Sequence, residues 1–201
     1  VDLDIVLQAM QKAYAHMNTE SSLLGALALN AAHAVTAASS KILSAENVEE
    51  RFKIGWVMKA LVDLVRYVGN DLLKVIVTTC IDAYALAPEL GQCYVETMTI
   101  ILATYGDCAL CGFEESHGIQ TVGQVFSNFV AENLPKCMND PDLWPAMFTL
   151  ARATLRCGCA ALTQHARLVI EMSKRSLRGV SNDAAAASLL LAIDLLCAPT
   201  L

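Results

Sequence analysis

The sequence predicts an all-α fold in which antiparallel helix pairs stack into a solenoid. Apolar residues recur at intervals of three and four over long blocks, which is the spacing of a buried helix face. Glycine and proline fall mostly between these blocks, where they end helices. The clearest β-branched run, KVIVTTC at 74–80, lies inside a longer helical row from Leu72 to Tyr84, so its length and period favour a helix.

Start and stop signals place nine helices along the chain. The third begins near Asn47, with Glu50 as a capping-box partner, and ends at Gly69. The stretch GDCALCGFEESHG is predicted to be a loop. The full set of predicted helices covers 2–17, 21–38, 47–69, 71–86, 88–105, 119–134, 141–157, 160–177 and a last one that begins behind Asp183.

The spacing of these helices predicts the kind of solenoid. Starts two helices apart are separated by 41, 48, 53 and 42 residues, and the longest interval contains the loop. A two-helix unit that recurs every ~40–47 residues is typical of HEAT and armadillo repeats. We therefore expect residues 1–201 to form one segment of four to five HEAT-like helix pairs, cut from a longer superhelix. The rival interpretation is a compact helical bundle.

The helix predicted at 141–157 combines a buried side with two cations. Asp140 or Asp142 is the predicted N-cap, and Gly158 the predicted stop. Arg152 and Arg156 lie four residues apart, away from the apolar row, and like charges at this spacing repel slightly. The two arginines are therefore candidates for a contact with another molecule.

Composition limits the classes of function. Apolar residues make up 55% of the chain and the mean hydropathy is +0.46, which raises the alternative of a membrane-embedded bundle. The longest uncharged stretch, 21–40, contains Asn, His, Thr and Ser and is rich in Ala, so a buried helix is favoured over a membrane span. The formal charge of −6 argues against direct nucleic-acid binding. Eight cysteines in a large helical chain favour a reducing compartment, the cytosol or nucleus.

Chemical motifs are sparse. Cys108, Cys111 and His117 have a metal-like spacing but supply three ligands, whereas structural zinc needs four, so structural thiols are the favoured interpretation and no metal is predicted. In the CGC at 157–159 the glycine serves as a helix stop. No nucleophile, phosphate-loop or metalloprotease motif is present, so we expect a protein that is not an enzyme and needs no cofactor. A zinc- or thiol-dependent helical enzyme remains an alternative.

Charge is unevenly distributed along the chain. Residues 152–178 hold six cations against one acid, Glu171, while the remainder of the chain is strongly acidic. Such asymmetry suits one surface to acidic partners and another to basic ones. Cations in the last turns of the helix at 160–177 also suit the helix dipole, but Arg152 is less easily explained in this way.

Three features of residues 50–197 occur in a fixed order. A helix ends near Tyr84 before a short link with Pro88, the following helix ends in ATYG at 103–106, and DPD at 140–142 opens a helix that carries arginines. In this order of segments the chain resembles the C-terminal half of receptors of the importin-β superfamily, in particular the transportin-SR/importin-13 branch. These receptors are HEAT-repeat superhelices that carry protein cargo through nuclear pores.

The resemblance implies a non-catalytic segment of a nuclear transport receptor that shuttles between cytoplasm and nucleus. It implies cargo contacts by Arg152 and Arg156, and binding of Ran-GTP and FG-repeat nucleoporins by the full-length parent. Thr149 and Ala153 stand where the branch that carries serine/arginine-rich cargo favours arginine, which is a departure from its pattern. The alternative is a HEAT-repeat scaffold unrelated to nuclear transport.

Overall fold

The computed structural model describes the chain over five continuous ranges, 70–86, 91–115, 118–158, 166–178 and 182–197, together with the single helical residues Gln8, Lys12, Ala26, Asn30 and Val62. The described residues are predominantly helical, which agrees with the all-α prediction. The predicted helices at 2–17, 21–38 and 47–69 lie outside the described residues, apart from those single positions. The ranges contain α1 (Asn70–Leu86), α2 (Gly91–Tyr105), β1 (Ala109–Glu115), β2 (Gly118–Thr121), α3 (Val122–Asn133), α4 (Trp144–Arg156), α5 (Ala166–Ser176) and α6 (Asn182–Cys197).

The chain divides into two compact units, Val1–Ile100 and Ile101–Leu201. In the first unit, α1 confirms the helix predicted at 71–86. Its buried side follows the helical period, with Leu73, Ile76, Val77 and Cys80 each fully shielded from solvent. Burial, together with the nearby Cys93 thiol, raises the pKa of the Cys80 thiol far above its usual range, so this cysteine acts as a core hydrophobe.

In the second unit, a β-hairpin follows the end of α2 where the sequence predicts a loop, and the loop prediction is wrong. β1 and β2 pair antiparallel from Ala109 opposite Thr121 to Glu115 opposite Gly118, with an irregularity before Glu114. The strand residues ALCGFEE lack a regular apolar alternation, so periodicity could not identify them. The hairpin forms because each short strand satisfies the backbone hydrogen-bonding groups of the other.

α3 starts at Val122 rather than at 119, because the residues before it belong to β2. Thr121 is its N-cap and forms a capping box with Gln124. The Gln124 N–H donates to Thr121 Oγ1 at 3.3 Å, and the Thr121 N–H donates to Gln124 Oε1 at 2.8 Å. The first bond gives an acceptor to a helix-start N–H that has no partner within the helix. The second bond fixes Thr121 at the junction between β2 and α3.

The helix predicted at 141–157 starts three residues later, at Trp144. Two short 3₁₀ turns, Lys136–Asn139 and Pro141–Leu143, precede it. The predicted caps, Asp140 and Asp142, are wrong: Asp140 begins the second 3₁₀ turn without a side-chain cap, and Leu143 occupies the N-cap of α4. The buried Trp144 ring instead anchors this start, because its Nε1–H donates to the Cys137 carbonyl at 2.7 Å.

The C-terminal stop of α4 is confirmed. Gly158 adopts the left-handed conformation with φ +74°, and its N–H donates to the Leu155 carbonyl at 3.0 Å. The Cys157 sulfur lies against the backbone of Gly106, where a Cβ atom would come within 2.7 Å of it. This contact joins the end of α4 to the start of the hairpin segment.

The last four helices pack on one another, and α6 receives two of them. α3 packs on α4, α4 packs on α6, and α5 packs on α6. α5 confirms the later part of the helix predicted at 160–177, while 160–165 lie outside the described residues. α6 begins at Asn182, so Asp183 lies in its first turn rather than before it. The shared core is formed by Trp144, Met147, Phe148, Leu150, Ala151, Val169, Met172, Ala184 and Leu191.

None of the helices in the described part of the chain combines the length and the apolar composition that crossing a bilayer requires.

Candidate partner-binding surface

The two arginines predicted to contact cargo lie on one side of α4. The four-residue spacing places Arg152 and Arg156 one helical turn apart. Met147, Leu150 and Ala151 are fully buried on the opposite side. The helix is therefore held by its apolar side, and its arginine side is available for polar contacts.

Both arginines meet a carboxylate from α6. Arg152 Nε lies 2.5 Å from Asp194 Oδ2 and donates a hydrogen bond to it, and Arg156 Nε lies 3.6 Å from the same oxygen. The Arg152 and Asp194 side chains are 25% and 24% exposed, whereas the Arg156 side chain is 64% exposed. Asp194 thus holds Arg152 in place and leaves most of Arg156 open to solvent.

This arrangement has an electrostatic consequence. Two positive charges share one negative charge, so the cluster keeps a net positive charge of one. A guanidinium offers a planar fork of donors that fits a carboxylate or a phosphate. Such a fork binds acidic groups without any catalytic chemistry. The bond to Asp194 limits the rotamer freedom of the Arg152 side chain, so this side chain loses less entropy when a partner binds.

The cysteine and histidine cluster is only partly described. Cys108 is half-buried just before β1, and the backbone of Cys111 lies in β1, while His117 and Cys159 lie outside the described residues. Within the described part of the chain, no three potential ligands come together to hold a metal ion. The predicted absence of a metal at Cys108, Cys111 and His117 therefore stays a prediction.

The thiol of Cys157 is placed among the residues that open the hairpin segment. Partial burial, and to a smaller extent the carboxylate of Asp107, raise the pKa of Cys157. A raised pKa leaves less thiolate at neutral pH and makes the group a poor nucleophile. This environment is typical of a structural thiol rather than a catalytic one.

Sequence reasoning missed Asp194. The signal was present, because Asp194 is the single acid in the run LLLAIDLLC near the C-terminal end of an apolar helix. A carboxylate in such a run needs a cationic partner when its helix packs against others. The sequence could not say which cation, since 42 residues separate Asp194 from Arg152.

No protein-family model, curated protein or solved structure matches this chain.

Proposed function

We propose that this chain is a HEAT-repeat-like solenoid segment that recognises a protein partner without catalysis, and that it belongs to a nuclear transport receptor. The packing of the second unit supports a repeat arrangement. α3 with α4 and α5 with α6 are two consecutive helix pairs, and α4 also packs on α6. A contact between the second helices of neighbouring pairs is expected when paired units stack on one another.

The observation that carries the recognition proposal is the Arg152–Asp194–Arg156 cluster. Arg156 is a largely exposed cation beside an arginine that is already oriented by a carboxylate. Charge-assisted bonds from guanidinium to carboxylate or phosphate are among the stronger polar contacts available to a protein surface. The cargo proposed for this surface is therefore an acidic or phosphorylated protein segment.

The wider proposal concerns the parent protein. As in the importin-β superfamily, its other repeats would bind Ran-GTP and FG-repeat nucleoporins, and it would shuttle between cytoplasm and nucleus. In this proposal the present segment supplies cargo contacts. It takes no metal or cofactor.

The test is capture of partners from cell extract with the parent protein, with and without Ran locked in its GTP state. Partners that are released or recruited by Ran-GTP are expected if the protein is a transport receptor. The variant Arg156→Glu is expected to lose the cargo and to keep the fold, because this side chain is mostly exposed. Arg175→Glu, the same charge change on an exposed site of α5, is the matched control.

Two results would contradict parts of the proposal. A set of partners that is identical with and without Ran-GTP removes the transport function and favours a HEAT-repeat scaffold of another kind. A cargo that binds Arg156→Glu as well as it binds the unaltered protein removes the arginine cluster as the contact surface, whatever the outcome with Ran.

A further inference from the structure

A row of exposed apolar side chains follows the last two described helices. Six of the seven large hydrophobic residues that remain exposed in the described part of the chain lie on α5, on α6 or directly after α5. Leu196 is the most exposed of them, at 82%. These six are Ile170, Leu177, Leu189, Leu190, Ile193 and Leu196. Exposed apolar side chains that are concentrated on two packed helices mark a candidate site of interaction.

Four of these side chains border the line along which α5 and α6 meet. Ser173 Oγ contacts the Ser188 carbonyl at 3.3 Å, so these two residues mark where the helices face each other. At ~100° per residue, Ile170 and Leu177 lie about 40–60° round α5 from Ser173, toward solvent. We call the shallow channel between them and the corresponding side of α6 the α5–α6 seam.

The α6 side of the α5–α6 seam follows from the same geometry. Leu189 and Leu196 lie about 80–100° round α6 from Ser188, on its exposed side. Two packed helices joined by a connection as short as this one are expected to run antiparallel, which places their exposed apolar rows on the same side of the seam. Spacings of seven residues on each helix, 170 to 177 and 189 to 196, are those of a surface that receives the apolar side of another helix.

Cations lie along the α5 edge of the seam. Arg167 and Lys174 are exposed on the face of α5 next to Ile170, and the exposed Arg178 follows Leu177 directly after the helix. Glu171 is the acid on this face, and its contact with Lys174 is long, at 3.8 Å, with both side chains more than half exposed. Such an exposed pair contributes little and leaves the edge positive.

We propose that the α5–α6 seam binds an amphipathic helical segment of a protein partner that carries Asp or Glu along one edge of its apolar face. The apolar row supplies the affinity, and the cationic edge selects an acidic segment and sets its orientation. The site goes beyond the proposed function, because it is formed by α5 and α6 and does not use Arg152 or Arg156. An anionic lipid surface is disfavoured, since the chain as a whole carries a formal charge of −6.

The experiment is a display selection of helical peptides against the parent protein, in which any repeat that stacks on α5 and α6 already covers the face it packs on. The library holds apolar residues at helix positions one, four and eight and randomises the positions beside them. Enrichment of Asp and Glu on one edge of the apolar face is expected, together with weaker binding at higher salt. Ile170→Asp, which removes one apolar anchor, is expected to weaken the selected peptide about tenfold or more.

The charge test uses a matched pair of variants on the same helix. Lys174→Glu reverses one charge on the edge next to the seam and is expected to weaken binding about fivefold. Arg175→Glu makes the same change about 100° further round α5, away from the seam, and is expected to leave binding within about twofold. If Ile170→Asp lowers helix content in circular dichroism, Leu196→Asp, at a more exposed position, takes its place.

Four outcomes overturn the proposal. The first is a selection that enriches no acidic edge, and the second is binding that is unchanged in Ile170→Asp or Leu196→Asp. The third is binding to phosphatidylserine vesicles without binding to any selected peptide. The fourth is a dimer in sedimentation that Ile170→Asp converts to monomer. The last two assign the seam to a lipid surface and to a second copy of this chain.

Discussion

At the scale of single residues, one carboxylate decides how the arginine side of α4 is arranged. Asp194 accepts from Arg152 at a partly buried site and attracts Arg156 from a longer distance. A hydrogen-bonded pair that is only about a quarter exposed is screened less than a surface pair. The Arg152 contact should therefore contribute to stability, while the Arg156 contact should contribute little.

A double-mutant cycle tests this difference. Arg152→Ala and Asp194→Ala are expected to show a coupling of about 1 kcal/mol in the free energy of unfolding, measured with urea. The corresponding cycle with Arg156→Ala should give less than about half of that, because its side chain is mostly solvated. Equal couplings for the two arginines would contradict the geometry, and added salt should reduce both.

The Cys157 thiol offers a test by pH. Burial and the Asp107 carboxylate both disfavour the thiolate and so raise the pKa of Cys157. Asp107→Asn removes the negative charge but keeps the burial, so the pKa should fall part of the way toward its usual value. At a fixed mildly alkaline pH the thiolate fraction then rises, and Cys157 should be alkylated faster.

The alkylation rate is measured by mass spectrometry of the peptides over a range of pH. The exposed Cys197 is the internal control, and its rate should not change in Asp107→Asn. If the alkylation rate of Cys157 depends on pH in the same way in the variant and in the unaltered protein, burial alone raises this pKa.

At the scale of elements, helix starts follow local chemistry only where nothing stronger competes. Thr121 caps α3 through a complete capping box with Gln124. The start of α4 is set by packing instead. The buried Trp144 ring donates to the Cys137 carbonyl, and neither of the two nearby acidic residues caps the helix. A cap that is read from sequence fails when the preceding residues are held in another conformation.

Thr121→Ala should therefore destabilise the second unit. The expected loss is about 1 kcal/mol, because the N–H of Gln124 loses its acceptor at the helix start. Thr121→Ser keeps the hydroxyl and should recover most of this stability. Both are measured by urea unfolding followed by circular dichroism. A loss that is the same for Ala and Ser would mean that the threonine methyl group, rather than the cap, is responsible.

The hairpin shows the limit of pattern analysis at the same scale. β1 and β2 hold seven and four residues, and their pairing is irregular. Such short strands give no period that distinguishes them from a loop. Their conformation comes from pairing between the two segments and from the bonds that continue into α3, where the Val122 N–H donates to the Cys108 carbonyl at 3.0 Å.

At the scale of the whole molecule, charge predicts which partners are excluded. The chain carries a formal charge of −6, although residues 152–178 are strongly basic. Local basic surfaces can bind acidic protein segments, whereas a nucleic acid meets the repulsion of the entire chain over its greater length.

The chain is therefore expected to show no measurable binding to duplex DNA or to single-stranded RNA at physiological salt. Fluorescence anisotropy with labelled oligonucleotides checks this. Lowering the salt concentration serves as the sensitive condition, because any phosphate contacts would strengthen there. Tight binding at physiological salt that Arg156→Glu abolishes would reassign the arginine cluster to nucleic acid.

The sequence by itself determined the features that depend on neighbours along the chain. The helical period gives the buried side of α1, the glycine gives the end of α4, and the four-residue spacing gives the common side of Arg152 and Arg156. Each of these depends on interactions within one or two helical turns, so a short stretch of sequence is sufficient.

Only the tertiary structure decided what those faces meet. It brought Asp194 to Arg152, replaced the expected loop with a hairpin, moved the start of α4 to Trp144, and left the α5–α6 seam apolar and exposed. The Arg152–Asp194 pair joins residues that are 42 apart in the chain, and the other features depend on pairing or packing between separate elements. Their energies come from packing, desolvation and charge between separate elements, and no local pattern specifies which elements will be neighbours.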